Sequence, residues 1–152
     1  MKQLMHALLL TTNFGLSAAL PTVLSAGETP SDDRAKVYFV NLKNQDQITA
    51  PFNVIFGLSG MSIAPAGPEK PNTGHHHLLI DRPTLGLGED GVDEFEHGLP
   101  SDENHVHFGG GQTEFTLDLP AGQNMLQLVL GDYDHAPHSR PLVSDILTTS
   151  VK

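Results

Sequence analysis

Eight histidines follow residue 26, and seven of them fall into three short groups: His75-His76-His77, His105-Val106-His107, and the pair His135 and His138 within Asp132-Tyr133-Asp134-His135-Ala136-Pro137-His138. In an extended strand, residues i and i+2 project to the same face, about 6.6 Å apart. His75 and His77 therefore share a face if their segment is a strand, and so do His105 and His107. Two such pairs on neighbouring strands would offer one ion up to four imidazole nitrogens. Imidazole suits zinc, copper and nickel, whereas calcium and magnesium want oxygen ligands. His76 points to the opposite face and does not serve the same ion. The third group follows an alternating strand at a turn, where Pro137 fixes one backbone angle between its two histidines. Such a turn can aim His135 and His138 at the same point. Asp132 can act there as a ligand or as the acceptor that orients a ligating histidine. The candidate metal ligands are thus His75, His77, His105, His107, His135, His138 and Asp132. His97 stands alone in an acidic run and reads as solvated.

The charge map is consistent with a cation. No lysine or arginine lies between Arg82 and Arg140, a stretch that holds eleven acids and five histidines. A field of one sign concentrates ligands of the other; the plainer reading is an acidic surface that keeps the protein soluble. With 8 Lys+Arg against 18 Asp+Glu and a net charge of −10, nucleic-acid binding is not expected, because it needs cationic patches. The chain has no cysteine, which excludes disulfides, thiolate metal sites and a thiol nucleophile. Met61 and Met125 are the only methionines after residue 26, so a methionine-rich copper(I) site is not suggested. No serine stands in a G-x-S-x-G elbow, and Gly109-Gly110-Gly111 lacks the flanks of a phosphate loop.

These groups need elements to hold them. Ala35–Leu42 is rich in β-branched and aromatic residues, and Phe52, Val54, Phe56 and Leu58 alternate with their neighbours; both stretches predict strands. His75–Asp81 reads as a third strand. Phe115, Leu117 and Leu119, and then Leu126, Leu128 and Leu130, repeat the period of two. Gly131–Pro141 reads as a loop, and Leu142–Val151 as a last strand with Ile146, Val143 and Thr148 facing inward. Met61–Gly74 is punctuated by three prolines and must be a loop; Arg82–Asn104 is a long acidic loop, and loops of that length usually have a role. With 15 glycines and 11 prolines and no sustained helical period, the pattern predicts an all-β fold, an immunoglobulin-like antiparallel β-sandwich.

Met1–Ala26 carries Lys2, then an apolar run, then Ser25-Ala26 before Gly27, the order of a secretory signal peptide. Thr11, Thr12, Asn13 and Pro21 interrupt the run too often for a membrane span. The expected organisation is a signal peptide over 1–26, a flexible lead-in over 27–34 and a single histidine-rich domain over 35–152, in the periplasm or secreted.

GHHHLLID and LVLGDYDHAPH, with PAGPEKPNTG before the first and the LPAG–LQLVLGD run before the second, resemble a bacterial secreted family catalogued as domain of unknown function 4399. The resemblance implies a small, exported, β-rich domain and brings no activity with it. His105-Val106-His107 ahead of three glycines is also similar, locally, to copper–zinc superoxide dismutases, but the rest of that pattern is missing. The residues favour a module that binds a divalent transition metal, copper or zinc, for storage, delivery or protection. A non-catalytic immunoglobulin-like structural or interaction module is the alternative, and a metal-dependent enzyme the second.

Overall fold

The computed structural model describes residues 27–87, 91 and 93–152. The expected signal peptide lies outside the described residues. The chain is almost entirely β. Its elements run β1 (Lys36–Phe39), β2 (Gln47–Ile48), β3 (Phe52–Ser59), β4 (Ser62–Ile63), β5 (Thr73–Ile80), the one-turn helix α1 (Asp93–Glu96), β6 (His105–His107), β7 (Glu114–Leu117), β8 (Gly122–Gly131), β9 (Pro137–Val143) and β10 (Leu147–Val151). Among the described residues, no helix is long and apolar enough to cross a membrane.

Two sheets form. The smaller has the order β1-β3-β7 and is antiparallel throughout. The larger runs β2-β10-β8-β5-β4, with β6 added on β5 and β9 on β8. It is mainly antiparallel, with parallel pairings only of β2 with β10 and β4 with β5. Val37, Val54, Phe56 and Leu117 of the first sheet share one core with Leu78, Ile80, Leu126, Leu128 and Leu130 of the second. The period-2 alternation of β3 and β8 produces this core: every second side chain is apolar and points the same way.

Strand β5 from Gly74 and the second half of β8, Leu126–Gly131, are buried on both faces. His76, Leu78 and Ile80 face the shared core, and His76 lies against Phe56 with ring centroids 5.2 Å apart. On the other face His75, His77 and Leu79 are covered too. The cover there comes from the acidic stretch, which is not an open loop. Leu85, Phe95 and Leu99 pack on Leu79 and Val129 as a second, smaller apolar cluster. Arg82 pairs with the buried Glu94 of α1, which also accepts the Gly86 N–H at 2.8 Å.

The end of the chain departs from expectation. Gly131–Pro141 is not all loop, since β9 begins at Pro137. Pro137 and Pro141 hide the strand from a sequence reading, but β9 lies outside the main strand path, where a missing N–H is tolerated, and the ladder is irregular at Leu130/Gly131. The expected last strand is two. Ser144 interrupts it by using both its backbone and its hydroxyl on Leu128. Val143 and Ile146 consequently face solvent, at 41% and 42% exposure, while Leu142, Leu147 and Val151 face inward.

Candidate metal centre

β5 and β6 pair antiparallel with His77 opposite His107 and Leu79 opposite His105. On the other side of β5, His75 stands opposite Gly131 and His77 opposite Val129. The period of two thus puts His75, His77, His105 and His107 on one face, as two pairs on neighbouring strands. His135 reaches the same point from the turn between β8 and β9. One ring nitrogen from each of His75, His77, His107 and His135 lies within 4.8 Å of every other, and this group could hold a metal ion. His75 and His77 are fully buried, and His107 and His135 are half-buried.

His105, His138 and Asp132 lie outside that group. His105 stands behind it, its Nε2 2.9 Å from His77 Nδ1. His138, on β9, is fully buried, and neither of its ring nitrogens has a hydrogen-bond partner. Asp132 organises the turn instead. Its Oδ1 accepts the N–H groups of Asp134 and Ala136, at 2.9 and 3.1 Å, and its Oδ2 accepts the Thr29 hydroxyl at 2.7 Å. His135 donates its own N–H to the Asp132 carbonyl and accepts from Leu99 N–H. His135 adopts φ of 67°, a left-handed conformation that costs of order 1 kcal/mol or more for a non-glycine residue and that concentrates at functional sites. The carboxylate of Asp132 holds the backbone there. His97 is exposed, as expected for a solvated residue. His76 contacts Gln112 O through Nδ1 at 3.3 Å on the core side, away from the cluster.

Two glycines make room for the rings, a feature the histidine spacing did not indicate. A Cβ on Gly131 would fall 2.5 Å from His77 Nε2, and one on Gly109 would fall 2.5 Å from His107 Nε2. Each glycine is thus a space-making part of the site. The one available signal was position: Gly131 directly precedes the Asp132–His138 group, and Gly109 follows His107 by two residues.

The four imidazoles touch one another. His75 Nε2 is 2.9 Å from His77 Nε2 and 3.1 Å from His135 Nδ1. A neutral set of tautomers satisfies most of this. His105 Nε2–H donates to His77 Nδ1, and His77 Nε2–H and His135 Nδ1–H both donate to His75 Nε2. His75 then carries its proton on Nδ1, which is buried without a partner, and His107 Nε2 is likewise buried and unpartnered. All the resolved shifts favour neutral rings. Burial first, then the neighbouring His107 and His135, lower the His75 pKa from 6.5 to about 4. Burial, then Arg82, lowers His105 to about 4. Burial followed by His75 and the other rings pushes His77 down, and burial followed by His135 pushes His107 down. Neutral imidazoles with free lone pairs are what a transition metal needs. An ion bound at His77 Nε2 would move that ring's proton to Nδ1, and His105 Nε2 would become its acceptor. The donor set is all nitrogen, with no carboxylate or thiolate in it, which suits copper, zinc or nickel over hard oxygen-seeking cations.

An almost all-β chain that gathers four imidazoles at the junction of β5, β6 and the β8–β9 turn defines a class: a β-domain with a histidine cluster able to hold a metal ion. Its family follows from comparison. A family described as a domain of unknown function (DUF4399) matches residues 54–152, a span containing all four clustered histidines, and the chain belongs to that family. No curated protein and no solved structure matches it.

Proposed function

We propose that the protein is an exported metal-binding module that holds one divalent copper or zinc ion for storage, delivery or protection. The observation that carries the reading is the convergence of His75, His77, His107 and His135, with one nitrogen from each within 4.8 Å of the others. The unpartnered buried Nε2 of His107 supports it, because a buried polar atom without a partner costs about 1–3 kcal/mol that a bound ion would recover. Export, to the periplasm or beyond, is supported by the charged, apolar, small-residue order of Met1–Ala26. We read the two sheets over their shared core as an immunoglobulin-like sandwich that serves as a rigid frame. His75, His77 and His107 would be ligands on strands and His135 the ligand on a turn, with His105 orienting His77 from behind.

The test is isothermal titration of untagged protein with copper(II) and zinc at about pH 7.5 and about pH 5, alongside metal analysis of protein purified without added ions. The expected result is saturable binding of about one ion at the higher pH, much weakened at the lower and in His77→Ala. Absence of saturable binding at neutral pH overturns the reading. One observation favours the non-catalytic structural alternative: the run His135, His75, His77 and His105 forms an uninterrupted hydrogen-bonded chain of rings without an ion. On that alternative, His77→Ala would lower stability and change no metal titration.

A further inference from the structure

The basic residues of this acidic chain are unevenly placed. Lys36, Lys43 and Arg140 line an open groove of about 860 Å³ that runs between Ala35–Phe39 and Arg140–Leu147. The pattern of its walls shows what kind of groove it is. Five consecutive residues on one side and eight on the other line it. A strand that shows a groove its face contributes alternate residues, and one that shows its edge contributes all of them. Both walls are therefore backbone edges. β1 is the outer strand of the three-stranded sheet, so one of its edges is free of a strand partner. On the opposite wall, Gly27–Arg34 covers only the start of β9: Ser139 N–H donates to Thr29 O, and the Ser31 hydroxyl donates to Arg140 O. Beyond Arg140 the described residues supply no further strand along that edge.

The groove also carries the side chains an extended ligand would use. Tyr38, Val143 and Ile146 are exposed at 45%, 41% and 42%, and all three line it. Lys36 and Lys43 are exposed, and neither forms an ion pair among the described residues. Arg140 is partly engaged, donating to Asp32 O and lying 3.9 Å from Asp33. Asp145 is the one acid in the lining.

We propose that this groove binds an extended, acidic segment of a partner protein, which adds a strand along the free edge of β1. Main-chain hydrogen bonds to the edge supply affinity, and acidic side chains on the solvent face of the added strand lie beside Lys36, on the face of β1 opposite the buried Val37, with Lys43 further along the groove. Charge selects the partner. A chain of net charge −10 repels acidic ligands over most of its surface, and a local cluster of cations steers an acidic strand to this place. The same net charge disfavours a second copy of the chain as occupant. The groove lies apart from the histidine cluster, none of whose residues line it, so the proposal stands independently of metal binding.

Fluorescence anisotropy tests this with two labelled eight-residue peptides, one alternating glutamate with valine and one alternating lysine with valine. The glutamate peptide is expected to bind saturably, with affinity falling steeply as salt is raised. Lys36→Glu with Lys43→Glu should weaken it at least about tenfold, circular dichroism confirming the fold. N-methylating alternate peptide nitrogens, which removes the edge hydrogen bonds, should weaken it comparably, while His77→Ala should leave it unchanged. No binding at up to about 1 mM peptide, equal binding of the lysine peptide, or full binding by the double variant each overturns the proposal. A concentration-dependent dimer in ultracentrifugation that excludes the peptide would also overturn it, by assigning the groove to a second copy.

Discussion

Gly131 offers the sharpest test of the site, because it has no side chain to lose and one to gain. It sits on β8 opposite His75, and a Cβ there would meet His77 Nε2 at 2.5 Å and Cδ2 at 2.9 Å. Ordinary carbon contacts lie at about 3.5–4.0 Å, so in Gly131→Ala the His77 ring must retreat by about 1 Å. It has nowhere to go: His77 is fully buried, with His105 2.9 Å from one nitrogen and His75 2.9 Å from the other. Overpacking of this kind costs about 1–3 kcal/mol. Gly131 does not adopt a positive φ, so alanine is conformationally allowed and restores about 0.4–1 kcal/mol through the unfolded chain. The net loss is about 0–2.6 kcal/mol, or up to roughly 10 °C in Tm for a domain of this size. The displaced nitrogen is the one proposed to face the metal, so affinity for zinc should fall about ten- to a hundredfold, as when a ligand loses its supports. Thermal melts and zinc titrations on four proteins read this out: wild type, Gly131→Ala, His77→Ala and the double variant. With the ring gone, Gly131→Ala should be neutral or slightly stabilising. An equal cost in both backgrounds, or unchanged zinc affinity in Gly131→Ala, would refute the reasoning.

Gly109→Ala should act more mildly. Its Cβ meets His107 Nε2 and Cε1 at 2.5 Å, but that ring is half-buried and can tilt outward, so the expected loss of zinc affinity is roughly three- to tenfold with little change in Tm. Asp132→Ala removes the acceptor for two backbone N–H groups and the Thr29 hydroxyl, and should cost about 1–3 kcal/mol and speed metal release from the His135 turn in stopped-flow chelation. The metal-free protein should lose stability as pH falls from about 6.5 towards 4. His75 and His105 have folded values lowered to about 4, so over that window the unfolded chain binds more protons, and each such ring weakens the fold by up to about 1.4 kcal/mol per pH unit. Denaturant midpoints that stay flat between those pH values would contradict it.

Much of the centre was legible because a strand has a period of two. His75 and His77 share a face for the same reason that Leu126, Leu128 and Leu130 do, and a sequence displays that spacing directly. Register is less visible. That His77 stands opposite His107 depends on where β6 docks on β5, which pairing of chain segments distant in sequence decides. The turn was harder. Asp132, His135 and His138 are equally plausible ligands on spacing, yet the hydrogen bonds of Asp132 and the φ of His135 separate them. His138 reads as part of a loop only because Pro137 and Pro141 disguise β9. The acidic stretch misled for another reason. Leu85, Phe95 and Leu99 are sparse among charges and show no period, so nothing signals that they fold back over Leu79 and Val129.

His76 and His138 help to separate the metal reading from the structural one. Each is a buried histidine that stands away from the cluster: His76 rests on Phe56 and contacts Gln112 O, and His138 is enclosed on β9. They demonstrate that this fold accommodates single buried imidazoles as packing units. The quartet is arranged differently. His75 hydrogen-bonds to both His77 and His135, and the His107 ring lies 4.2–5.0 Å, centroid to centroid, from those three; it is this convergence, and not the unpartnered nitrogens that His76 and His138 also have, that sets the quartet apart. Burial also lowers the proton affinity of His75, His77 and His107, so protonating the cluster is not an inexpensive way to complete it. Apolar side chains of similar volume would fill the same space without that penalty. Three strand residues and a left-handed turn residue aim their rings at one point, and glycines at 109 and 131 leave the space they need. A purely structural role explains the burial but gives no reason for the convergence, whereas an electron-pair acceptor at the centre explains both.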